Sequence, residues 1–467
     1  MGIDRRNFLQ SMAVLLVGLK ASALAQSYPI QHDAGRGTAA PEPGGAKKKG
    51  GQASRFVPIQ TPDVPNLPYK VENGVKVFRL VAEPMKREFI PGKLFDVWGY
   101  NGSMPGPTIE VNEGDRVRIF FENRLPEPTT VHWHGIELPI DMDGVPAISQ
   151  PLVKPGGKYV YEFTLHQHGT FFYHSHMPMQ EMLGLIGMFV IHPKKAYQPH
   201  VDKDFALILQ EWAILPNNTI PNTMSMEFNW LTINGRAGPA TTPLIVKLGE
   251  RVRIRFVNLG MDHHPMHIHG LQFVMTGTEG GRVPETAWYP QNTVLVGVAQ
   301  ARVIEFKAQY PGDWMLHCHL PHHMMNQMVS MVGPMAHVGA GMHTGMGMEE
   351  GMGMVRQGHA LDEELGPGLG RGMGMTAREK PVSHMAGMEH APAGMEMDKK
   401  RVPGFPQDMW MPMDEAVAKP ETYGLAPGWS GAVTGMMTLV RILPPEKYEK
   451  IMKLIEQSSR RNNKGKG

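Results

Sequence analysis

His317-Cys318-His319-Leu320-Pro321-His322-His323-Met324-Met325-Asn326-Gln327-Met328 contains the only cysteine of a 467-residue chain. The thiol stands between two histidines, with His323 and then Met328 following at short range. A thiolate, two imidazoles and a thioether are the donors of a trigonal copper site with a weak axial sulfur. A solitary cysteine is otherwise a small buried hydrophobe, so the reading depends on the rest of the chain. One cysteine also excludes an intrachain disulfide.

Three more histidine pairs precede this stretch: His132-Trp133-His134-Gly135, His174-Ser175-His176 and His264-Pro265-Met266-His267-Ile268-His269-Gly270. Each has His-x-His at its core. On a strand, residues i and i+2 share a face, so 132/134, 174/176, 267/269 and 317/319 each present two imidazoles to one side. Eight imidazoles suffice for a cluster of three copper ions if the four strands meet. Cys318 and His264 have the opposite parity. They face away from the eight histidines, toward a second site that His323 and Met328 complete. One Cys-His peptide link then joins the two sites.

The sequence around these motifs reads as short strands separated by Gly/Pro turns. Arg116–Phe121 follows Glu113-Gly114-Asp115, and Tyr159–Phe163 follows Pro155-Gly156-Gly157. Leu244–Leu248, Arg251–Val257 and Thr293–Val298 have the same texture. Frequent short strands without long helical periods predict an all-β chain of antiparallel sandwiches. The expected division is a signal peptide over 1–25, a linker over 26–60, sandwiches over 61–195 and 196–338, a Met-rich segment over 339–400, and a C-terminal extension over 401–467. Eleven methionines fall between Met342 and Met397. Near the end, Tyr448, Ile451, Met452 and Ile455 line one helical face behind Pro445.

With these motifs in order, the chain resembles the multicopper oxidase family. Asn101-Gly102-Ser103-Met104-Pro105-Gly106-Pro107-Thr108-Ile109 and Pro311-Gly312-Asp313-Trp314 add to the likeness. The resemblance implies two cupredoxin-like Greek-key domains and four coppers. His264, Cys318, His323 and Met328 would hold type 1 copper. His132 and His267 would hold type 2. His134, His174, His176, His269, His317 and His319 would hold the type 3 pair. Asp143, in Asp141-Met142-Asp143-Gly144, occupies the place of a proton-relaying carboxylate, and Asp-Gly is also a turn pair. Where some relatives carry a second carboxylate, this chain has Met324. His176 and His264 lie too close in sequence for the additional domain of three-domain members. A two-domain member is expected, with its histidine cluster shared between subunits of a homotrimer.

Such an enzyme oxidises a donor one electron at a time and reduces dioxygen to water. Cuprous ion is the favoured donor, since Met324, Met325, Met328 and Met331 crowd the type 1 loop and the methionines from Met342 to Met397 can collect a soft ion, with phenols or other metal ions as further laccase-like substrates. Two alternatives are a copper-sequestering tolerance protein and a copper nitrite reductase. The latter needs a cysteine where Ser175 stands. Arg5-Arg6-Asn7-Phe8-Leu9-Gln10, the apolar stretch Met12–Leu19 and Ala23-Leu24-Ala25 read as a twin-arginine export signal. A periplasmic or secreted protein without a stable membrane span is expected. A net charge of +2 gives no field for nucleic acid.

Overall fold

The computed structural model describes residues 56–215, 218–324 and 412–464. The signal-peptide reading, nearly all of the linker, Met328 and the Met-rich segment lie outside the described residues. What is described is dominated by strands in four sheets, arranged as two cupredoxin-like β-sandwiches.

The first sandwich pairs two sheets. Val75–Ile90, Arg116–Asn123 and Lys158–Thr164 form one, with Tyr69–Glu72 and Lys93–Tyr100 beside Val75–Ile90. Arg116–Asn123 alternates as a half-buried strand should: Val117, Ile119 and Phe121 enter the core, while Arg118 pairs with Glu162 outside. The other sheet runs Gly106–Asn112, Ile186–His192, Gly169–Ser175, Val131–His134. Trp133, Phe171, Tyr173 and Phe189 point from it into the same core.

The second sandwich repeats the plan. Its larger sheet is built on Lys203–Trp212, Arg251–Asn258, Gln300–Lys307 and Phe273–Thr278. Its other sheet runs Leu244–Lys247, Met437–Leu443, Gly312–Cys318, His264–Ile268, Thr293–Val296. Met437–Leu443 lies in the region assigned by sequence to a C-terminal extension, yet it pairs between Leu244–Lys247 and Gly312–Cys318. Ile59–Gln60, within the expected linker, pairs with Asp204–Phe205 of the second sandwich. The helix Pro445–Lys464 lays Tyr448, Ile451, Met452 and Ile455 against Ile245 and Leu443. No helix among the described residues is long and apolar enough to cross a membrane.

The sandwiches stack face to face. Phe172, Ile186, Met188 and Val190 of one pack on Ala206, Ile208, Val257 and Ala301 of the other. This explains why Ile186–His192 and Lys203–Trp212 are buried on both faces. Arg255 crosses the same boundary, pairing with buried Asp204 and donating to Thr170 Oγ1 at 2.7 Å. Asp204 and Glu305 both flank Arg253, which keeps these charges paired within the joint.

Candidate metal centres

Period-2 geometry sets the first histidine group. His132 pairs directly with His174 across the two strands. Trp133 and Tyr173 point inward, so His132, His134 and His174 share the outward face with Phe172, on which His134 stacks at 4.2 Å. His132 has ring neighbours in His134, His174 and His176 at 5.3–5.6 Å. His134 Nδ1 lies 3.3 Å from His174 Nε2. A carbonyl oxygen only accepts, which fixes two tautomers. His132 Nδ1 donates to the Asp143 carbonyl at 2.7 Å, and His174 Nδ1 to the Ser175 carbonyl at 2.8 Å. Both Nε2 lone pairs are thereby free for a metal. Gly144 makes the Asp143 contact possible, since a Cβ there would stand 1.9 Å from the Val131 carbonyl oxygen.

The second group has the same design. His267 pairs with His317. Its ring neighbours are His269, His317 and His319 at 5.0–5.6 Å. His267 Nδ1 donates to the Asn292 carbonyl at 2.7 Å and His317 Nδ1 to the Cys318 carbonyl at 2.9 Å. His269 Nε2 and His317 Nε2 face each other at 3.0 Å. Burial lowers the pKa of His132, His269 and His317, and holds His134 at about 4. Neutral imidazole is the form that binds metal.

The strands meet two by two, not all four together. Among the described residues, no histidine of one group makes a ring contact with the other. The first group faces the joint between the sandwiches. The second faces outward, because Met266, Ile268, Leu316 and Cys318 occupy the opposite face and fill the second core. Two sheet layers therefore separate the groups, about 20 Å at ordinary sheet spacing. His176, His269 and His319 are exposed.

Cys318 turns inward, as its parity requires, and meets His264 and His323 in a third, fully buried group. Sγ lies 3.5 Å from His323 Nδ1 and 3.8 Å from His264 Nδ1, and the two nitrogens are 3.2 Å apart. Donors about 2.0–2.3 Å from one ion are spaced in this way. The far nitrogens are tied to carboxylates: His264 Nε2 donates to Glu211 at 3.0 Å, and His323 Nε2 lies 3.4 Å from Asp262. Burial pushes the Cys318 thiol up to about 12 and lowers the His323 pKa. The thiolate thus needs a bound cation, and the donor set fits copper.

Three carboxylates were missed by sequence reasoning. Glu211 and Asp262 serve the cysteine centre, and Glu181 Oε2 lies 3.2 Å from His174 Nδ1. Glu211 left a usable signal, a charge inside the apolar run Phe205–Ile214. Asp143 Oδ1 lies 3.4 Å from His132 Nδ1, beside the first group.

Comparison with known proteins agrees with this geometry. Multicopper oxidase family patterns match residues 83–196 and 214–334. Copper resistance protein A of Pseudomonas syringae pv. tomato is 37% identical over 147 residues, which are 32% of this chain and 24% of that protein. Multicopper oxidase MmcO of Mycobacterium tuberculosis is 30% identical over 256 residues, 47% of this chain and 49% of that protein. These matches span about half or less of the relatives' lengths. The blue copper oxidase of Nitrosomonas europaea superposes with a TM-score of 0.50 at 29% identity, covering 54% of this chain and 81% of that one. Two family domains in tandem, with histidine pairs and a lone cysteine on the strands of their inner and outer faces, place the chain in the multicopper oxidase family.

Proposed function

We propose that the protein is a two-domain oxidase whose subunits share their oxygen-reducing centres in a ring, the family precedent being a trimer. The observation that carries this reading is the placement of the two histidine groups. Each is half of an eight-imidazole set, they face different ways, and two sheet layers separate them. A neighbour's outward-facing group can close on the group at the joint. Exposed apolar side chains support such an interface: Ile140 and Ile148 near the first group, Leu295 and Leu320 near the second.

Four coppers per subunit, when bound, supply one-electron oxidation of a donor at Cys318 and four-electron reduction of dioxygen to water at the shared histidines. The chain's own groups do the rest. Carbonyls of Asp143, Ser175, Asn292 and Cys318 orient four imidazoles. The Asp143 and Glu181 carboxylates, both partly exposed, can take protons from solvent and hold them beside His132 and His174. Glu181 follows Gln180 as Met324 follows His323, so a carboxylate stands at the first group although none stands at Met324.

Cuprous ion is the preferred donor. Met315, Met324 and Met437 gather with Trp429 beside the cysteine centre, and the Met-rich segment follows His323 in the sequence, over 339–400. The twin-arginine stretch supports a periplasmic or secreted location. Oxygen uptake by copper-loaded protein, compared across Cu(I), Fe(II), Mn(II) and a phenol, tests the reading. Uptake is expected with all competent donors and fastest with Cu(I). Copper loading without uptake would instead make the protein a sequestrant. Deleting 340–398 should raise the apparent KM for Cu(I) and spare phenol oxidation.

A further inference from the structure

The cysteine centre has an anionic neighbour that its donor count does not require. The Glu211 side chain is completely buried. Its Oε2 accepts from His264 Nε2–H at 3.0 Å. Its Oε1 accepts from the backbone N–H of Asp262 at 2.9 Å and from that of Met261. Among the described residues no lysine or arginine pairs with it. Gly260 lets the backbone close over the carboxylate, since a Cβ there would stand 1.9 Å from Oε2. A buried carboxylate without a cation is costly unless something nearby answers its charge, and the ion held by His264 is the candidate.

The first sandwich is an internal control. Asn123 and Asn258 occupy matching places: each donates to the carbonyl four residues on, Glu127 at 2.8 Å and Asp262 at 2.7 Å. Asn123 pairs with Ala82, and Asn258 with Leu209. Two residues beyond those partners stand Pro84 and Glu211. The carboxylate occurs in the sandwich that has the thiol and is missing from the one that has a hydroxyl.

We propose that Glu211 is a positioning residue of the cysteine centre: it turns His264 Nδ1 toward Cys318, and its charge biases that centre toward oxidised copper. The proposal rests on the reading of Cys318 as the type 1 site. A carboxylate hydrogen-bonded to a ligand imidazole raises that ligand's basicity. A fixed negative charge in a buried site stabilises the higher-charged ion more than the lower.

The test is a redox titration of the full-length, copper-loaded protein with its visible band as readout, comparing wild type with Glu211→Gln. The amide keeps the volume and an acceptor for His264 but removes the charge. The preference for Cu(II) over Cu(I) should fall at least tenfold, a rise of about 59 mV for one electron, with a shifted visible band. A blue wild type and a Gln variant of equal potential would overturn the proposal. A colourless copper-loaded wild type would instead refute the reading of Cys318. If the Gln variant does not fold, Glu211→Asp decides. Withdrawal by one methylene should raise the potential, and an unchanged potential there would equally overturn the proposal.

Discussion

The two sandwiches place different donor atoms on the same loops. In the second, His264, Cys318 and His323 converge, with Asp262 behind His323. In the first, the matching places hold Thr129, Ser175, Gln180 and Glu127. Thr129 Oγ1 lies 3.0 Å from Ser175 Oγ, Ser175 Oγ donates to Gln180 Oε1 at 2.9 Å, and Gln180 Nε2 donates to Glu127 at 3.1 Å. One scaffold thus carries a candidate metal centre or a closed hydrogen-bond chain. Three side chains decide which. The polar version satisfies its buried groups internally and needs no cation, whereas the sulfur and imidazole version leaves three donors facing one point.

The loops that follow differ as well. Ser175 N–H donates to Leu185 O and Cys318 N–H to Met436 O, both at 3.0 Å. Ile186–His192 and Met437–Leu443 then occupy equivalent places, antiparallel to one neighbour and parallel to another. The first sandwich makes this connection in a few residues. In the second, residues 319–435 of the sequence lie between Cys318 and Met436. The Met-rich segment thus falls, in sequence, between the strands Gly312–Cys318 and Met437–Leu443.

The comparison breaks most completely with Cys318→Ser, which gives the second centre the first one's hydroxyl. Donor oxidation should drop to background and the visible band should vanish, while copper still binds the two histidine groups; metal analysis and absorption spectra check this. The shared-cluster reading is tested by pairing His134→Ala with His317→Ala. Each alone should be inactive. Subunits exchanged between them should regain activity at about a quarter of sites by random pairing in a ring. No recovery, or a fully active monomer in the ultracentrifuge, would mean that the cluster is not shared. Asp143→Asn should slow turnover roughly 10²-fold with the colour intact, and an unchanged rate removes Asp143 from proton delivery. The smallest effect belongs to the first sandwich. Ser175→Ala should cost about 1–3 kcal/mol of stability by stranding Gln180, read by chemical denaturation, with the visible band untouched. Ser175→Cys alone should give no colour, because Thr129 and Gln180 are not metal donors of the kind His264 and His323 are.

Much of the site was legible in the sequence because side-chain parity is local. His132 and His134, or His317 and His319, share a face whatever the strand pairs with, and Cys318 must take the other face. The same logic separated two kinds of centre and placed Ser175 as the position that lacks a thiol. Glu211 and Asp262 were not legible, because their partnership with His264 and His323 spans loops and strands 50 or more residues apart in sequence. The order of the sheets was not legible either. Whether four His-x-His strands converge depends on which sheet each joins and on which face the neighbouring sandwich covers. Those choices are made by apolar contacts such as Phe172, Met188 and Val190 on Ala206, Ile208 and Val257, between strands whose own patterns read only as buried. By itself the sequence determined which histidines share a face along each strand and that Cys318 takes the opposite one, through a period of two. Only the tertiary structure decided that the two histidine groups face apart and that Met437–Leu443 returns to complete the second sandwich, since both follow from packing between distant segments.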